Sequence, residues 1–501
     1  MGSKLVSARG LLPTLLLVPV VLAGQASAVF IPYSDAKPIF DALRDDLLPP
    51  EFRGLTPAQR EAAWPGWVMR RDAAIRARVA EGDEDSVINL LQFGTAFTRQ
   101  PRITEQQLAG VVMRKAGSPD VFVPSPVLTA RIEDFIAALA SPGIAALASP
   151  GIAAPASSGI AGVASPGTNE RLQFARSVIE RRGIDPATEP GRGHLRRYLE
   201  ERTAVVGSAV HAPVLHDPAT GLADQLTIFR DRGLASDTLL WINFAIDQTL
   251  AEMKAAGALR PRSVRRAAII GPGLDLADKQ EGYDFYPPQT IQPFALIDSL
   301  GRAGLAAAAG VGVTAFDLSP AVLGHLEAAR ARAAMGTAYT VVLPRNLDQP
   351  WTADLVSFRD RFGDQIGKPV AAAAPPANAG RVGVRGVMFP PPVVRAIVPR
   401  DLNVVLQRAA PVPAGEGFDL IVATNILLYY DVFEQSLAAA NIAAMLRPGG
   451  FLLSNDRIFE LPGGPVASAG RTAAAYMNVP GSGPRGDQIY WYQARTPPPL
   501  P

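Results

Sequence analysis

The sequence contains no cysteine, which excludes disulfides, thiolate nucleophiles and cysteine metal ligands. Histidine is nearly as scarce. His194, His211, His216 and His325 are the only four, and none belongs to an HExxH motif or an i, i+4 pair of the kind that seats zinc. No catalytic metal is therefore expected. Charge of one sign is also missing: 48 Lys and Arg against 46 Asp and Glu leave a formal net charge of +2, so a nucleic-acid groove has no electrostatic support. Lysine is rare beside arginine, and alanine is abundant, which reads as compositional bias and not as a binding surface. Beyond the first 28 residues no apolar run is long enough to span a bilayer.

What is present is bulk. With 501 residues, 48% of them hydrophobic, the chain can bury a sizeable core in more than one domain. Residues 1–28 read as a signal peptide: Lys4 and Arg9 precede an apolar run over residues 11–24, and Ala26-Ser27-Ala28 is a small-residue cleavage site. Pro13, Pro19 and the short run favour a cleaved leader over a retained anchor. The expectation is an exported chain, periplasmic or secreted, that starts near Val29 and meets a membrane only through that leader.

Residues 29–139 read as a helical domain, with apolar helical spacing over 38–48, 57–80 and 132–139, and a buried helix over 86–97 capped by Asp85 or Ser86. Trp64 and Trp67 are read as packing residues in preference to a ligand cage. Residues 140–168 repeat ASPGIAAL, ASPGIAAP and ASSGIAGV with a period of eight. Such Ala/Ser/Pro/Gly units cannot bury a core and make a linker. Residues 169–260 are helical again, and a helix capped by Asp237 leaves Asn243 and Asp247 facing either a pocket or water.

Chemistry concentrates in residues 261–501. Ala267-Ala268-Ile269-Ile270 is broken by Gly271-Pro272-Gly273, a buried strand running into a tight turn whose bare backbone can approach a ligand closely. Then come Val313-Thr314-Ala315-Phe316-Asp317, later Phe418-Asp419-Leu420-Ile421-Val422-Ala423, a helix, and Leu446-Arg447-Pro448-Gly449-Gly450-Phe451. That order is doubly wound α/β. A polar, aromatic loop with Asp275, Asp278, Lys279, Glu281, Tyr283, Asp284, Phe285 and Tyr286 delays the first helix to Gln289 or Thr290. It suits a substrate lid or a solvated loop. Residues 339–343 read as an inserted strand, 371–380 as a loop, and 393–398 as the third strand, before Asp401. Residues 471–477 and 488–493 read as an antiparallel hairpin at one edge.

The motifs IIGPG, AFDLSP, FDLIVATNILLYYD and LRPGGFLLSND resemble a class I S-adenosylmethionine-dependent methyltransferase, over roughly the C-terminal half. Within that superfamily, ATNILLYYD is also similar to a stretch of the chemotaxis-receptor glutamate methyltransferases. The resemblance implies a Rossmann-like doubly wound sheet ending in a hairpin, preceded here by a mainly helical region, with S-adenosyl-L-methionine as cofactor. It makes Gly271 and Gly273 the backbone platform, with Asp275 in the place of a third glycine, and Asp317 the acceptor for the ribose hydroxyls. Asp401 would take the adenine amine, and Asn425 would face the methionine end or the methyl acceptor. Tyr430 joins Asp278, Lys279, Tyr283 and Tyr286 as a lid candidate.

Three features depart from the family pattern. Ile269 stands where an acid is common, Asp275 replaces a glycine, and Asp317 follows Gly271 by 46 residues, about twice the usual spacing of roughly 20. The cofactor is made in the cytoplasm, whereas the leader argues for export. Two functions stay open: a methyltransferase acting on a small molecule, lipid or protein carboxylate, or an exported module that keeps the fold and binds a ligand or partner without methylating it. Neither the acceptor nor the oligomeric state is written in the sequence.

Overall fold

The computed structural model describes residues 28–95, 97–103, 112–113, 121–122, 124–141, 168–211, 233–234, 240–276, 283–306, 310–410, 416–479, 481 and 483–495. The leader before Ala28 and nearly all of the repeat linker lie outside these residues. The chain is built on a seven-stranded sheet of β1 (Arg266–Ile270), β2 (Gly312–Asp317), β3 (Ile397–Asp401), β4 (Phe418–Ala423), β5 (Leu446–Ser454), β6 (Val466–Val479) and β7 (Gly483–Ala494). Across the sheet the order is β6-β7-β5-β4-β1-β2-β3. The first five strands are parallel, and β7 pairs antiparallel with both β5 and β6.

Parallel strands are covered on both faces and so need unbroken apolar runs. β4 is buried at all six positions and β1 at four of five. From β1 the chain steps outward to β2 and β3, then returns to the other side of β1 with β4. The direction of winding therefore reverses between β1 and β4, and open α/β sheets bind ligands at that crevice, beyond the carboxyl ends of the strands.

One face of the sheet is covered by the helices Leu240–Ala255, Gln292–Arg302 and Pro320–Ala334. The other is covered by Val432–Met445 together with the N-terminal chain. Phe433 from that helix is ringed by Phe40, Phe52, Trp64 and Trp67, with ring centroids between 5.0 and 6.5 Å away. Trp64 and Trp67 stack at 5.3 Å and are core residues, as expected. Residues 31–79 thus share a core with the sheet and do not form a separate domain.

The expected break near Asp85 is absent. A single helix runs Pro57–Phe93, opened by a capping box of Thr56 and Gln59. Beside the expected cap, Asp83 and Glu84 are buried and paired from the distant helix Thr168–Arg181 and the turn after it: Arg181 meets Asp83 at 2.6 Å, and Arg182 meets Glu84, while Asp85 itself is half-buried and pairs with Arg202 at 2.8 Å. The second half of the long helix joins Pro126–Ala140, Thr168–Arg181 and Glu189–His211 in a separate helical core. Asn243 and Asp247 are both buried, and Asp247 is paired with Arg302 at 2.6 Å and Arg361 at 3.1 Å, so it does not face water.

The insertion after β2 is larger than expected. Tyr339–Asn346, Val382–Phe389 and Lys368–Val370 form a three-stranded antiparallel sheet, with the helix Ala353–Arg361 between its first two chain segments. The terminal hairpin is likewise longer than residues 471–477 and 488–493. β6 absorbs two register shifts, and these irregularities break the alternation that marks a strand in sequence.

Candidate functional site

β1 ends at Ile270 and the chain turns at once. Gly271 and Gly273 have φ of +69° and +70°, a region that L side chains avoid. Gly271 has a second reason to be glycine: a Cβ there would lie 2.3 Å from Ile426 Cδ1. Its amide donates to the Phe316 carbonyl at 2.8 Å, which ties the turn to the end of β2. The next residue, Asp317, accepts the Ser319 amide at 2.8 Å, and the backbone amides of Leu318 and Gly273 face its carboxylate. Asp317 is 9% exposed. Burial pushes its carboxyl up to about 6, against the opposing pull of those amides and with a small push from Asp401. The structure thus brings Gly271, Gly273 and Asp317 into one cluster at the crevice.

β4 ends beside them. Asn425 is in the left-handed region at φ +59°, which Asn tolerates better than most residues. Its amide donates to Asn455 Oδ1 at 2.7 Å, and Asn455 Nδ2 donates to Asn425 Oδ1 at 2.7 Å. Asp456 Oδ2 accepts the amides of Leu427 and Leu428 at 3.1 and 3.2 Å. Burial raises that carboxyl to about 6. The turn after β4 is therefore fixed from β5, and Ile426 is pressed onto Gly271. Sequence reasoning missed Asn455 and Asp456, although both stand in the LLSND stretch at the carboxyl end of β5. It also missed Gln292, whose amide donates to Thr424 at 3.0 Å. No pattern in the sequence marks that residue.

The other expected site residues lie elsewhere. Asp401 is the Cα partner of Asp317 across β2 and β3, but both of its carboxylate oxygens are held by Arg76 Nη1, at 2.9 and 3.1 Å. Its carboxylate is engaged by the long helix and does not join the glycine turn. Asp275 turns away as well, accepting from the Tyr286 hydroxyl at 2.7 Å and Gln289 Nε2 at 3.1 Å. Of the lid candidates, Asp278 and Lys279 lie outside the described residues. Tyr283 and Tyr286 are 1% exposed, packed with Phe285, Val342 and Ala379, so they are interior. Tyr430 is also interior, in the core beneath Arg78. Aromatic residues in a polar loop read as a lid, yet these rings were recruited to hold the inserted sheet against the body.

Asp419 sits at the opposite end of the sheet. It accepts the Arg265 and Arg266 amides at 2.8 and 3.0 Å and pairs with Arg447. His325 is bonded to the Tyr339 hydroxyl at 2.8 Å, and burial lowers it to about 4, so it is a neutral packing residue. Among the described residues no group of three or more His, Asp or Glu could hold a metal, and no helix is long and apolar enough to cross a membrane.

No protein-family model and no curated protein matches the chain. Among solved structures, it is similar to the N-methyltransferase NodS from Bradyrhizobium japonicum WM9, at 12% identity over 50% of this chain and 95% of that one, with a TM-score of 0.23. It is also similar to the CurJ carbon methyltransferase, at 12% identity over 88% of this chain and 98% of that one, TM-score 0.25. TrmN from Thermus thermophilus matches at 11% identity over 50% of this chain, TM-score 0.23, and the match spans 48% of the TrmN chain. The sheet itself shows the fold. A five-stranded parallel core wound both ways from β1 and closed by an antiparallel hairpin is the Rossmann-like architecture that the class I methyltransferase resemblance implies.

Proposed function

We propose that this chain is an S-adenosylmethionine-dependent methyltransferase, acting on a small molecule, a lipid or a protein carboxylate. The observation that carries the reading is the convergence of a buried carboxylate, Asp317, with the backbone of a positive-φ Gly-Pro-Gly turn at the reversal point of the sheet. The residues fit a nucleoside ligand. An acid held by backbone amides at a strand's carboxyl end can accept from two vicinal hydroxyls, and a turn without side chains lets a ligand lie on backbone. Gly271, Gly273 and Asp317 would hold the cofactor, with Asn425 toward its methionine end or the acceptor. Asp401 is left out of the binding set because Arg76 occupies it.

When bound, the cofactor supplies an electrophilic methyl group on a sulfonium. The protein's share of such a displacement is position and field. Asp317 fixes the nucleoside end, the Asn425–Asn455 pair fixes the turn facing the crevice, and the covering helices exclude water from the sheet. Calorimetric titration with S-adenosylmethionine and S-adenosylhomocysteine tests the reading. Micromolar affinity is expected, and no response at millimolar concentration would remove it. The leader supports a companion proposal, export: N-terminal sequencing of the native protein should begin near Val29, and an intact Met1 in the cytoplasm would overturn it.

A further inference from the structure

We propose that the N-terminal helical region is a working part of the cofactor site, with Arg171 as the positioning residue that sets the glycine turn. The proposal rests on the methyltransferase reading only in naming what the turn holds. Arg171 comes from the helix Thr168–Arg181, beyond the repeat linker, and is 1% exposed. Its guanidinium spends its donors on carbonyls of the segment that leaves the turn: Leu276 at 2.6 Å, Asp275 and Asp284 at 3.2 Å, and Tyr286. It also lies over the Tyr286 ring, 5.0 Å from the centroid.

A buried guanidinium is costly unless its donors are met, and here they are met almost entirely by one segment of another region of the chain. A second tie runs from the turn that ends the long helix. Asp284 Oδ1 accepts both the amide and the hydroxyl of Thr95, at 2.8 and 2.7 Å. Gly94 beside it has no room for a side chain, since a Cβ would lie 2.9 Å from Asp284 Oδ2 and 2.5 Å from the Leu90 carbonyl. Asp275, held by Arg171 through its carbonyl, is two residues beyond Gly273. The Gly273 amide in turn faces the Asp317 carboxylate, and the turn is tied to the end of β2 by the Gly271 amide on the Phe316 carbonyl at 2.8 Å. The grip thus lies two peptide units from the amide that faces the ribose-side carboxylate. Where the family pattern has a third glycine, this chain has an aspartate whose backbone is fixed from outside the domain.

The test compares Arg171→Gln, Thr95→Val and Arg176→Gln in the full chain. Arg176 is on the same helix and buried, but bonds to Glu180 and the Leu139 carbonyl, and makes no bond to the turn. After circular dichroism confirms folding, each is titrated with S-adenosylhomocysteine, and deuterium uptake is measured at the amides of Gly271, Gly273 and Asp275. Arg171→Gln should weaken binding at least tenfold and Thr95→Val about threefold, both with faster exchange at the turn. Arg176→Gln should lower the melting temperature and change neither readout. A folded Arg171→Gln with parental affinity and exchange would overturn the proposal. If Arg171→Gln does not fold, Thr95→Val decides by the same two readouts. If the parent binds neither cofactor form, the methyltransferase reading falls, while exchange at the turn still decides whether Arg171 and Thr95 set its conformation.

Discussion

Asp317 and Asp419 are the same residue type on the two strands that flank β1, at opposite ends of the sheet. Their surroundings push them in opposite directions. Asp317, at the carboxyl end, is raised to about 6 because burial outweighs the three amides that face it. Asp419, at the amino end, is also pushed up by burial, but the amides of Arg265 and Arg266 and the Arg447 guanidinium bring it below the ordinary value. The difference lies in the partner. Asp419 has a cation that completes its shell, whereas Asp317 has backbone amides and a neighbouring acid. A buried carboxylate without a cation costs stability, and groups left in that condition mark functional sites more often than chance.

The largest effect expected from breaking this contrast is on ligand affinity. Charge-assisted bonds to two hydroxyls are worth about 1.5–3 kcal/mol each, so Asp317→Ala should weaken S-adenosylhomocysteine binding about a hundredfold or more. Equal affinity in the folded variant and parent would cancel the ribose assignment. Asp419→Ala should leave affinity within about threefold but cost about 1–3 kcal/mol of stability, because two amides and a half-buried arginine lose their acceptor. Chemical denaturation measures the cost. A large loss of affinity in a folded Asp419→Ala would erase the distinction between the two ends.

pH separates the two acids next. Hydroxyls donate to an ionised carboxylate, so affinity should fall as pH drops through about 6, by about tenfold at pH 5 relative to pH 7.5. Calorimetry at the two pH values checks this, and a flat profile would count against Asp317. In the free protein the sign is reversed. A carboxyl raised in the folded state contributes stability that is complete below its ordinary value and is lost as pH rises through about 6. Asp317→Asn should therefore stabilise the free protein at pH 7.5, on the order of 1–3 kcal/mol, whereas the depressed Asp419 contributes stability above its ordinary value that is lost on acidification. The smallest effect belongs to Asp401→Ala. With its carboxylate held by Arg76, affinity should change by less than about threefold, and a tenfold loss would restore its adenine role.

Much of the C-terminal half was legible because the parallel strands are continuous apolar runs. Those at residues 267–270, 313–316 and 420–423 can be buried only one way, and Gly-Pro-Gly and Pro-Gly-Gly punctuate them. The inserted sheet was legible only at its first strand, since Val382–Phe389 carries two glycines and two registers' worth of partners that no alternation reveals.

By itself, then, the chain's local pattern determined the order of strands, the turn after β1, the acid closing β2 and the structural place of Asp419. These depend on period, glycine and position along a strand, all of which are local. Tertiary structure alone decided what each polar side chain meets. Arg76, 325 residues away, claims Asp401. Arg181, Arg182 and Arg202 pair with Asp83, Glu84 and Asp85, so the acidic run that looked like a helix start lies inside one long helix. Arg171, about a hundred residues upstream on a helix outside the sheet, fastens the segment that leaves the glycine turn. A carboxylate's role depends on which cation reaches it, and that is settled by packing between segments far apart in the chain.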